Sequence, residues 1–214
     1  MTRTEREQHE RTLRVAAIAR IRAFGRRATP AEAGDARAWY ATARSIAQGF
    51  SEALGGSAGW SERAVVGVLA AISPGLRWER NLICARLLVL WHAAGRPKRG
   101  EPVVETYSYA NVRLALRILD GEDPEDVLTG PKVRAFFHAI LGEDRGAVLD
   151  GHIANALRGD EAGLREVKGL TLSERRAFRA AFAYVAYVDG HSVHALQAVV
   201  WLVHKQEKDN RLPF

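Results

Sequence analysis

The chain has 214 residues and a mass of 23.6 kDa, enough for one large domain or two small lobes with a buried core. Hydrophobic residues make up 47% of the chain and charged residues 26%, which is typical of globular proteins and excludes an extended disordered chain. The single cysteine, Cys84, excludes an internal disulfide framework and a cysteine-only zinc or iron–sulfur site within one chain.

Apolar segments are short throughout the chain. The longest runs from Ala64 to Ile72 and cannot span a bilayer, and the N-terminal residues lack the apolar core of a signal peptide. We therefore expect a soluble, cytoplasmic protein without a membrane partner.

Positive charge is concentrated at the N-terminus. Residues 1–27 contain eight arginines and three glutamates, so they carry +5 of the formal net charge of +6. Such a basic arm beside a nearly neutral body indicates a polyanionic partner, nucleic acid before membrane. The alternative is a solvated helix face, because Glu and Arg alternate here at helical distances.

Apolar residues recur with helical spacing in nine segments, and the alternation typical of strands is missing. In chain order the segments are Leu13–Phe24, Ala36–Leu54, Ser61–Ile72, Arg77–Ala94, Tyr109–Leu119, Pro131–Leu141, His152–Leu157, Ser173–Val188 and Val193–Lys205. A further short helix or turn is predicted over Glu125–Leu128. Gly55-Gly56 is predicted to end one helix, and Ser61 to cap the next. The pattern predicts an all-α protein of nine or ten helices.

The segment around residue 130 combines features of an anion site. Thr129-Gly130 predicts a tight connection, and Pro131 is a favourable first residue for the helix that follows. Backbone N–H groups at the start of that helix suit a phosphate. Lys132 lies in the first turn, where it opposes the helix dipole by a few tenths of a kcal/mol. Its amine suits a phosphate contact or, after losing its proton, nucleophilic attack.

Asp150 precedes Gly151-His152 and a predicted helix. An aspartate at this place is commonly a helix N-cap, which requires no function. The alternative is a functional carboxylate.

The sequence TGPKVRAF, followed by VLDGHIANAL, resembles the core of the helix-hairpin-helix (HhH-GPD-like) DNA glycosylases. The resemblance implies that Asp150 is the catalytic aspartate and that Lys132 holds the position of the Schiff-base lysine of bifunctional members. The separation of 18 residues between them agrees with the family's. It also places His152 on the family's following histidine. Gly130 and Lys132 are candidate DNA contacts at the hairpin, and Arg134, one helical step further, is either a phosphate contact or a solvated arginine.

An upstream stretch, Val68–Ser73, resembles the family's apolar helix, whose terminal turn enters the DNA stack. By that resemblance Leu76 or Arg77 is the wedge. The neighbouring Arg77, Trp78, Arg80 and Asn81 place an aromatic ring among arginines, which suits DNA insertion or base stacking. Trp78 is equally consistent with a core position.

The chain departs from the family pattern at three places. The hairpin has one glycine where two are usual, the turn after Ile72 lacks a glutamine, and Gly151 replaces a threonine. These departures indicate a divergent branch. The strings ISPGLRWERN and GPKVRAFF also resemble helical proteins of phages and actinobacteria, whose relatives are linked to DNA bases with bulky modifications.

The last predicted helix carries Gln197, Trp201 and His204 on one face, at i, i+4 and i+7. They are candidates for lining a base pocket or for a helix docking face. His152 either orients Asp150 or packs. His191 and His194 lack an evident third ligand, so we expect no metal. No cofactor is expected.

The predicted architecture is a two-lobed helical bundle of the DNA-glycosylase type. Residues 61–149 form a central lobe ending in the hairpin, and residues 1–60 and 150–214 form the second lobe. Asp150 is expected where the chain crosses between the lobes, facing a cleft. The predicted function is a monomeric glycosylase acting on a flipped, modified base in duplex DNA and generating an abasic site. The alternatives are a transferase that modifies bases on the same fold and a non-catalytic DNA-binding module.

Overall fold

A computed structural model describes residues 2–58, 60–97, 104–106, 108–159 and 167–209. All regular secondary structure in these ranges is helical, which confirms the predicted all-α class. The described helices are α1 (Arg3–Arg27), α2 (Pro30–Ala58), α3 (Glu62–Ile72), α4 (Trp78–Ala93), α5 (Tyr109–Leu119), α6 (Pro124–Val127), α7 (Pro131–Ile140), α8 (Gly151–Arg158), α9 (Leu172–Asp189) and α10 (Val193–Asp209).

The chain divides into two compact units. The first comprises Met1–Tyr40 and Asp144–Phe214, and the second comprises Ala41–Glu143. The boundaries therefore fall after residues 40 and 143, whereas the sequence placed lobe boundaries after residues 60 and 149. Helix α2 contributes residues to both units.

Helix α2 is longer than the sequence predicted. It continues through Gly55-Gly56, where an end was expected, and reaches Ala58. Glycine disfavours a helix interior by only about 1 kcal/mol relative to alanine, so a glycine pair weakens a helix without necessarily ending it.

The core of the first unit is built from α1, α8, α9 and α10. Helix α1 packs along α9, and α8 packs against α1 and α10. Large apolar side chains from these helices are fully buried, among them Ile21, Ile153, Leu157, Phe178 and Phe182. Removing such side chains from water is the main source of stability.

The core of the second unit surrounds α3. Every residue from Val65 to Ile72 is buried, and α3 contacts α4, α5, α6 and α7. A helix that is apolar on all sides is a central core helix. Gly67 allows α6 to lie close to α3, because a Cβ at that position would lie 2.7 Å from Pro124 Cγ.

Across the described ranges, none of the helices combines the length and apolar character needed to cross a membrane.

Candidate functional site

Asp150 is the N-cap of α8, as its sequence position predicted. Its Oδ1 accepts a hydrogen bond from the Ile153 backbone N–H at 2.9 Å. Its Oδ2 accepts from Trp201 Nε1 at 3.0 Å, and the residue is partly exposed. Both oxygens are therefore held in place by hydrogen bonds in a residue that is partly exposed.

The far end of α8 is held by two arginines. Arg20 of α1 donates to the Leu157 carbonyl oxygen, and Arg158 forms an ion pair with Glu174 at 2.7 Å. The hydrogen bonds from Arg158, together with those from Thr171, lower the pKa of Glu174 to about 2. Helix α8 thus has a defined axis, which fixes the direction in which Asp150 points.

A buried tyrosine lies near Asp150. The Tyr40 hydroxyl donates to Gln197 Oε1 at 2.8 Å, and both side chains are buried. Burial, assisted by the charge of Asp150, raises the pKa of Tyr40, so the phenol stays protonated. Tyr40 was not predicted as a site residue. The available signal was one polar side chain on a buried helix face otherwise made of alanines, namely Ala33, Ala36, Ala43 and Ala47.

Aromatic rings adjoin the carboxyl group. The ring of His152, which is partly exposed, lies 5.5 Å from the ring of Trp201 and 5.6 Å from that of His204, between centroids. The Lys205 amine lies 5.0 Å from the Trp201 ring. The structure therefore brings Asp150 together with two other predicted residues, His152 and Trp201.

Asp144, which was not a predicted site residue, contacts the first residue of α10. Both of its carboxyl oxygens accept from the Val193 N–H, at 3.1 and 3.2 Å. His194 Nδ1 is 3.7 Å from Asp144 Oδ1. Burial lowers the pKa of His194 even though Asp144 acts in the opposite direction, so this histidine is neutral at pH 7.

In the second unit, the segment around Gly130 consists of α6, a three-residue connection and α7. Asp123 caps α6 by accepting from the Glu125 N–H at 2.7 Å. Gly130 is the N-cap of α7 and supplies no side-chain cap, which leaves first-turn N–H groups for another acceptor. Lys132 is exposed and makes no hydrogen bond or ion pair with the residues that the structure describes.

Gly130 is not needed for backbone conformation, and the only constraint on a side chain here is a close contact that Val133 would have to relieve by a few tenths of an ångström. Its φ of −71° is accessible to any residue. A Cβ at this position would lie 3.1 Å from Val133 Cγ2, closer than ordinary packing allows.

An ion-pair network braces α6 and α7. Arg134 pairs with Glu125 at 2.8 Å, and His138 contacts Glu125 at 3.2 Å and Glu143 at 2.9 Å. The candidate metal-ligand atoms of Glu125, His138 and Glu143 lie within 4.8 Å of one another. However, Arg63 lies 3.8 Å from Glu125 and 4.0 Å from Glu143. Because arginines already neutralise these carboxylates, the arrangement is typical of a structural network.

The wedge candidates follow a turn in which Gly75 has a φ of +82°. Leu76 is partly buried, and Arg77 is the exposed N-cap of α4. Trp78 is partly buried, and its ring meets the Phe136 ring edge-on at 6.4 Å. Trp78 therefore contributes to the packing of α4 on α7.

Arg80 and Asn81 make contacts within the second unit. Arg80 pairs with Glu105 at 3.0 Å. Asn81 is buried, and its Nδ2 donates to the Leu69 carbonyl oxygen at 3.1 Å, which ties α4 to α3.

The predicted site residues fall into two groups, one in each unit. Asp150, His152, Gln197, Trp201 and His204 belong to the first. The second unit contains the remaining ones, Leu76, Arg77, Trp78, Arg80, Asn81, Gly130, Lys132 and Arg134.

Comparison with known proteins gives a family without a known activity. The sequence profile of a family of unknown function, DUF7178, matches residues 3–208, so the chain belongs to this family. No curated protein and no solved structure matches the chain.

Proposed function

We propose that this member of the family is a DNA glycosylase that removes a flipped, modified base and leaves an abasic site. The modified base would be a phage-type pyrimidine, for example a hydroxymethylated or glucosylated one. The observation that supports this most directly is the Asp150 carboxyl group. It is partly exposed at the start of α8, with one oxygen held by backbone and the other by the Trp201 indole.

The reaction requires a carboxylate fixed beside the sugar. As the N-glycosidic bond breaks, positive charge develops on the deoxyribose, and a nearby carboxylate stabilises it and aligns the attacking water. Asp150 would do this, and its two hydrogen bonds would hold it in place throughout. The rings of His152 and Trp201 beside it would supply aromatic surface for the flipped nucleotide.

The second unit would supply contacts to the phosphates of the DNA backbone. In this proposal α6, the connection through Gly130 and α7 form the helix-hairpin-helix motif, with the α7 first turn bound to a phosphate. Lys132 is free of ion pairs with the described residues, so its amine is available for that phosphate. If the deprotonated amine instead attacks C1′, the N-glycosidic bond breaks and the base leaves. The sugar ring then opens to a Schiff base, and β-elimination expels the 3′-phosphate and cleaves the strand, which adds lyase activity.

Base flipping costs a few kcal/mol and needs compensating contacts. Arg77 is exposed at the start of α4 and Leu76 is partly exposed beside it, so in this proposal one of these side chains would fill the vacated space. Both follow the turn at Gly75, which turns the backbone sharply before α4.

A specific observation favours a second candidate, a non-catalytic DNA-binding module. The Asp150 Oδ1 bond to the Ile153 N–H is an ordinary N-cap, which is worth about 0.5–2 kcal/mol and needs no chemistry. In that case the protein binds DNA with strong salt dependence and forms no product.

The decisive experiment uses Asp150→Asn on genomic DNAs that carry different base modifications. Asparagine caps helices about as well as aspartate, so the fold should persist. We expect the wild type to form abasic sites on one class of modified DNA, and the variant to lose this activity while binding unchanged. Asp35→Asn is the matched control, since it removes an exposed carboxyl group of α2. Full excision by Asp150→Asn would refute the catalytic role.

A further inference from the structure

The acidic residues of the basic helix α1 are confined to its N-terminal end. Its three glutamates lie within the first ten residues and are already engaged. Glu5 closes the N-terminal capping box, Glu7 pairs with Arg3, and Glu10 contacts Arg176 at 3.5 Å. From residue 11 onward α1 carries six arginines and no acidic residue.

Four of these six arginines have no acidic partner among the described residues. Arg20 is bound to a carbonyl oxygen of α8, and Arg27 pairs with a glutamate of α10. The other four have no carboxylate oxygen within 4.0 Å in the part of the chain that the structure describes, and they are Arg11, Arg14, Arg22 and Arg26. Arginines in the second unit are paired far more fully, as Arg63, Arg80 and Arg134 show.

Three of the unpaired arginines, Arg11, Arg14 and Arg22, line an open groove between α1 and α9. The groove has a volume of about 380 Å³, and its lining contains no acidic side chain. The lining residues are Arg11, Arg14, Val15, Ile18, Arg22 and Tyr184. A second cavity of about 330 Å³ shares Arg22 and continues past Arg26 and Arg37, with Asp189 as its acidic lining residue. The two cavities together follow α1 from Arg11 to Arg26 with predominantly positive charge.

Two exposed tyrosines lie on α9, and one of them, Tyr184, lines the groove. Tyr184 is 50% exposed and Tyr187 is 88% exposed, one helical turn apart. The Arg22 guanidinium lies 5.9 Å from the Tyr184 ring centroid, and Val15, 60% exposed, adds apolar surface. Solvent-exposed tyrosines next to unpaired arginines have the composition of a stacking platform for nucleic-acid bases.

We infer that the α1–α9 groove binds a single-stranded nucleic acid. Its phosphates contact Arg11, Arg14 and Arg22, and its bases stack on Tyr184 and Tyr187. A duplex would also provide phosphates for the arginines. However, its base faces are stacked on one another, so they could not stack on the two tyrosines. From Arg11 to Arg26 the helix rises by about 22 Å, enough to follow several nucleotides. This surface is separate from Asp150 and does not depend on the proposed glycosylase activity.

The test measures fluorescence anisotropy of a labelled oligothymidine of about 20 nucleotides, titrated with salt. Replacing Arg11, Arg14 and Arg22 by alanine should reduce affinity more than tenfold. It should also reduce the slope of log K against log salt by about 2, at about 0.7 per phosphate contact. The control removes three exposed cations elsewhere, at Arg86, Arg113 and Lys168. An equal loss in the control would overturn the proposal, because it would show an unspecific charge effect.

A second pair of variants tests stacking. Tyr184→Leu with Tyr187→Leu should lower single-strand affinity about tenfold without changing the salt slope, and phenylalanine at both positions should restore it. Equal competition by a matched duplex, or by vesicles containing phosphatidylserine, would contradict the single-strand assignment. All of these measurements can be made in the Asp150→Asn background, so their outcome is independent of excision.

Discussion

The contact between α3 and α6 is where a single methyl group should matter most. Gly67→Ala places a Cβ 2.7 Å from Pro124 Cγ, 2.9 Å from Pro124 Cβ and 3.2 Å from Ile118 Cδ1. The proline ring is stiff and buried at the first position of α6, so it cannot rotate away as a flexible side chain would. Helix α6 would therefore have to move off α3, and the connection to α7 would move with it.

Two opposing effects set the size of the change. Alanine improves on glycine inside a helix by about 0.5–1 kcal/mol, whereas overpacking a well-filled core costs about 1–3 kcal/mol. Gly49→Ala isolates the first effect, because Gly49 lies in α2 of the same unit and the added methyl group would have no neighbouring atom within 4 Å. We expect the Gly49 variant to be stabilised and the Gly67 variant to be less stable than it by about 1–3 kcal/mol.

Urea unfolding followed by circular dichroism measures both free energies of unfolding. In thermal unfolding the difference corresponds to about 2–4 °C for each kcal/mol in a chain of this size. Equal stability of the two alanine variants would refute the close approach of α6 to α3. The DNA affinity of the Gly67 variant should also fall, because α6 leads into the proposed phosphate-binding turn.

Three further variants test the site and its support. Lys132→Ala should weaken DNA binding and lower the salt slope by about 0.9, and a borohydride-trapped adduct that persists in this variant would exclude Lys132 as the nucleophile. Trp201→Phe removes the indole donor to Asp150 and should lower kcat about tenfold with KM nearly unchanged; an unchanged kcat would remove Trp201 from the site. Glu174→Gln should cost on the order of 3 kcal/mol of unfolding free energy at pH 7, because Arg158 holds the folded pKa of Glu174 at about 2 against 4.5. That stabilisation is complete above pH 4.5 and is lost as the pH falls toward 2, so urea unfolding at pH 7 and pH 3 should show a smaller acid loss in the variant than in the wild type.

The predicted helix bounds agree with the structure where apolar periodicity defines the helix. They differ where a capping box or ion pairs extend it. Helix α1 was predicted over Leu13–Phe24 but begins at Arg3. Its first turns are polar on all sides and are held by the Thr2–Glu5 capping box and the Arg3–Glu7 pair. Apolar periodicity records only the packed part of a helix, so it cannot detect such an extension.

The candidate site likewise contains one feature that the sequence predicts and others that it does not. Asp150 as a cap is a local property of the sequence, and it was predicted. The bond between Tyr40 and Gln197 joins residues 157 positions apart, and the bond between Trp201 and Asp150 spans 51 positions. Pairings of this kind depend on how α2, α8 and α10 pack, which one sequence does not specify. The sequence predicted that Gln197, Trp201 and His204 share one helix face, but it did not predict which residues they contact.

Asp150 can cap a helix and also act in catalysis. Its second carboxyl oxygen, Oδ2, provides a way to test whether it does both. A cap needs one oxygen on the Ile153 N–H, which the Oδ1 bond already supplies. The Oδ2 bond to the Trp201 indole is not required for helix initiation, and it draws a large aromatic ring from α10 against a partly exposed carboxyl group. For a pure cap, Trp201→Phe should affect stability alone. For a catalytic carboxylate, the same change should lower turnover while the free energy of unfolding shifts by only about 1 kcal/mol.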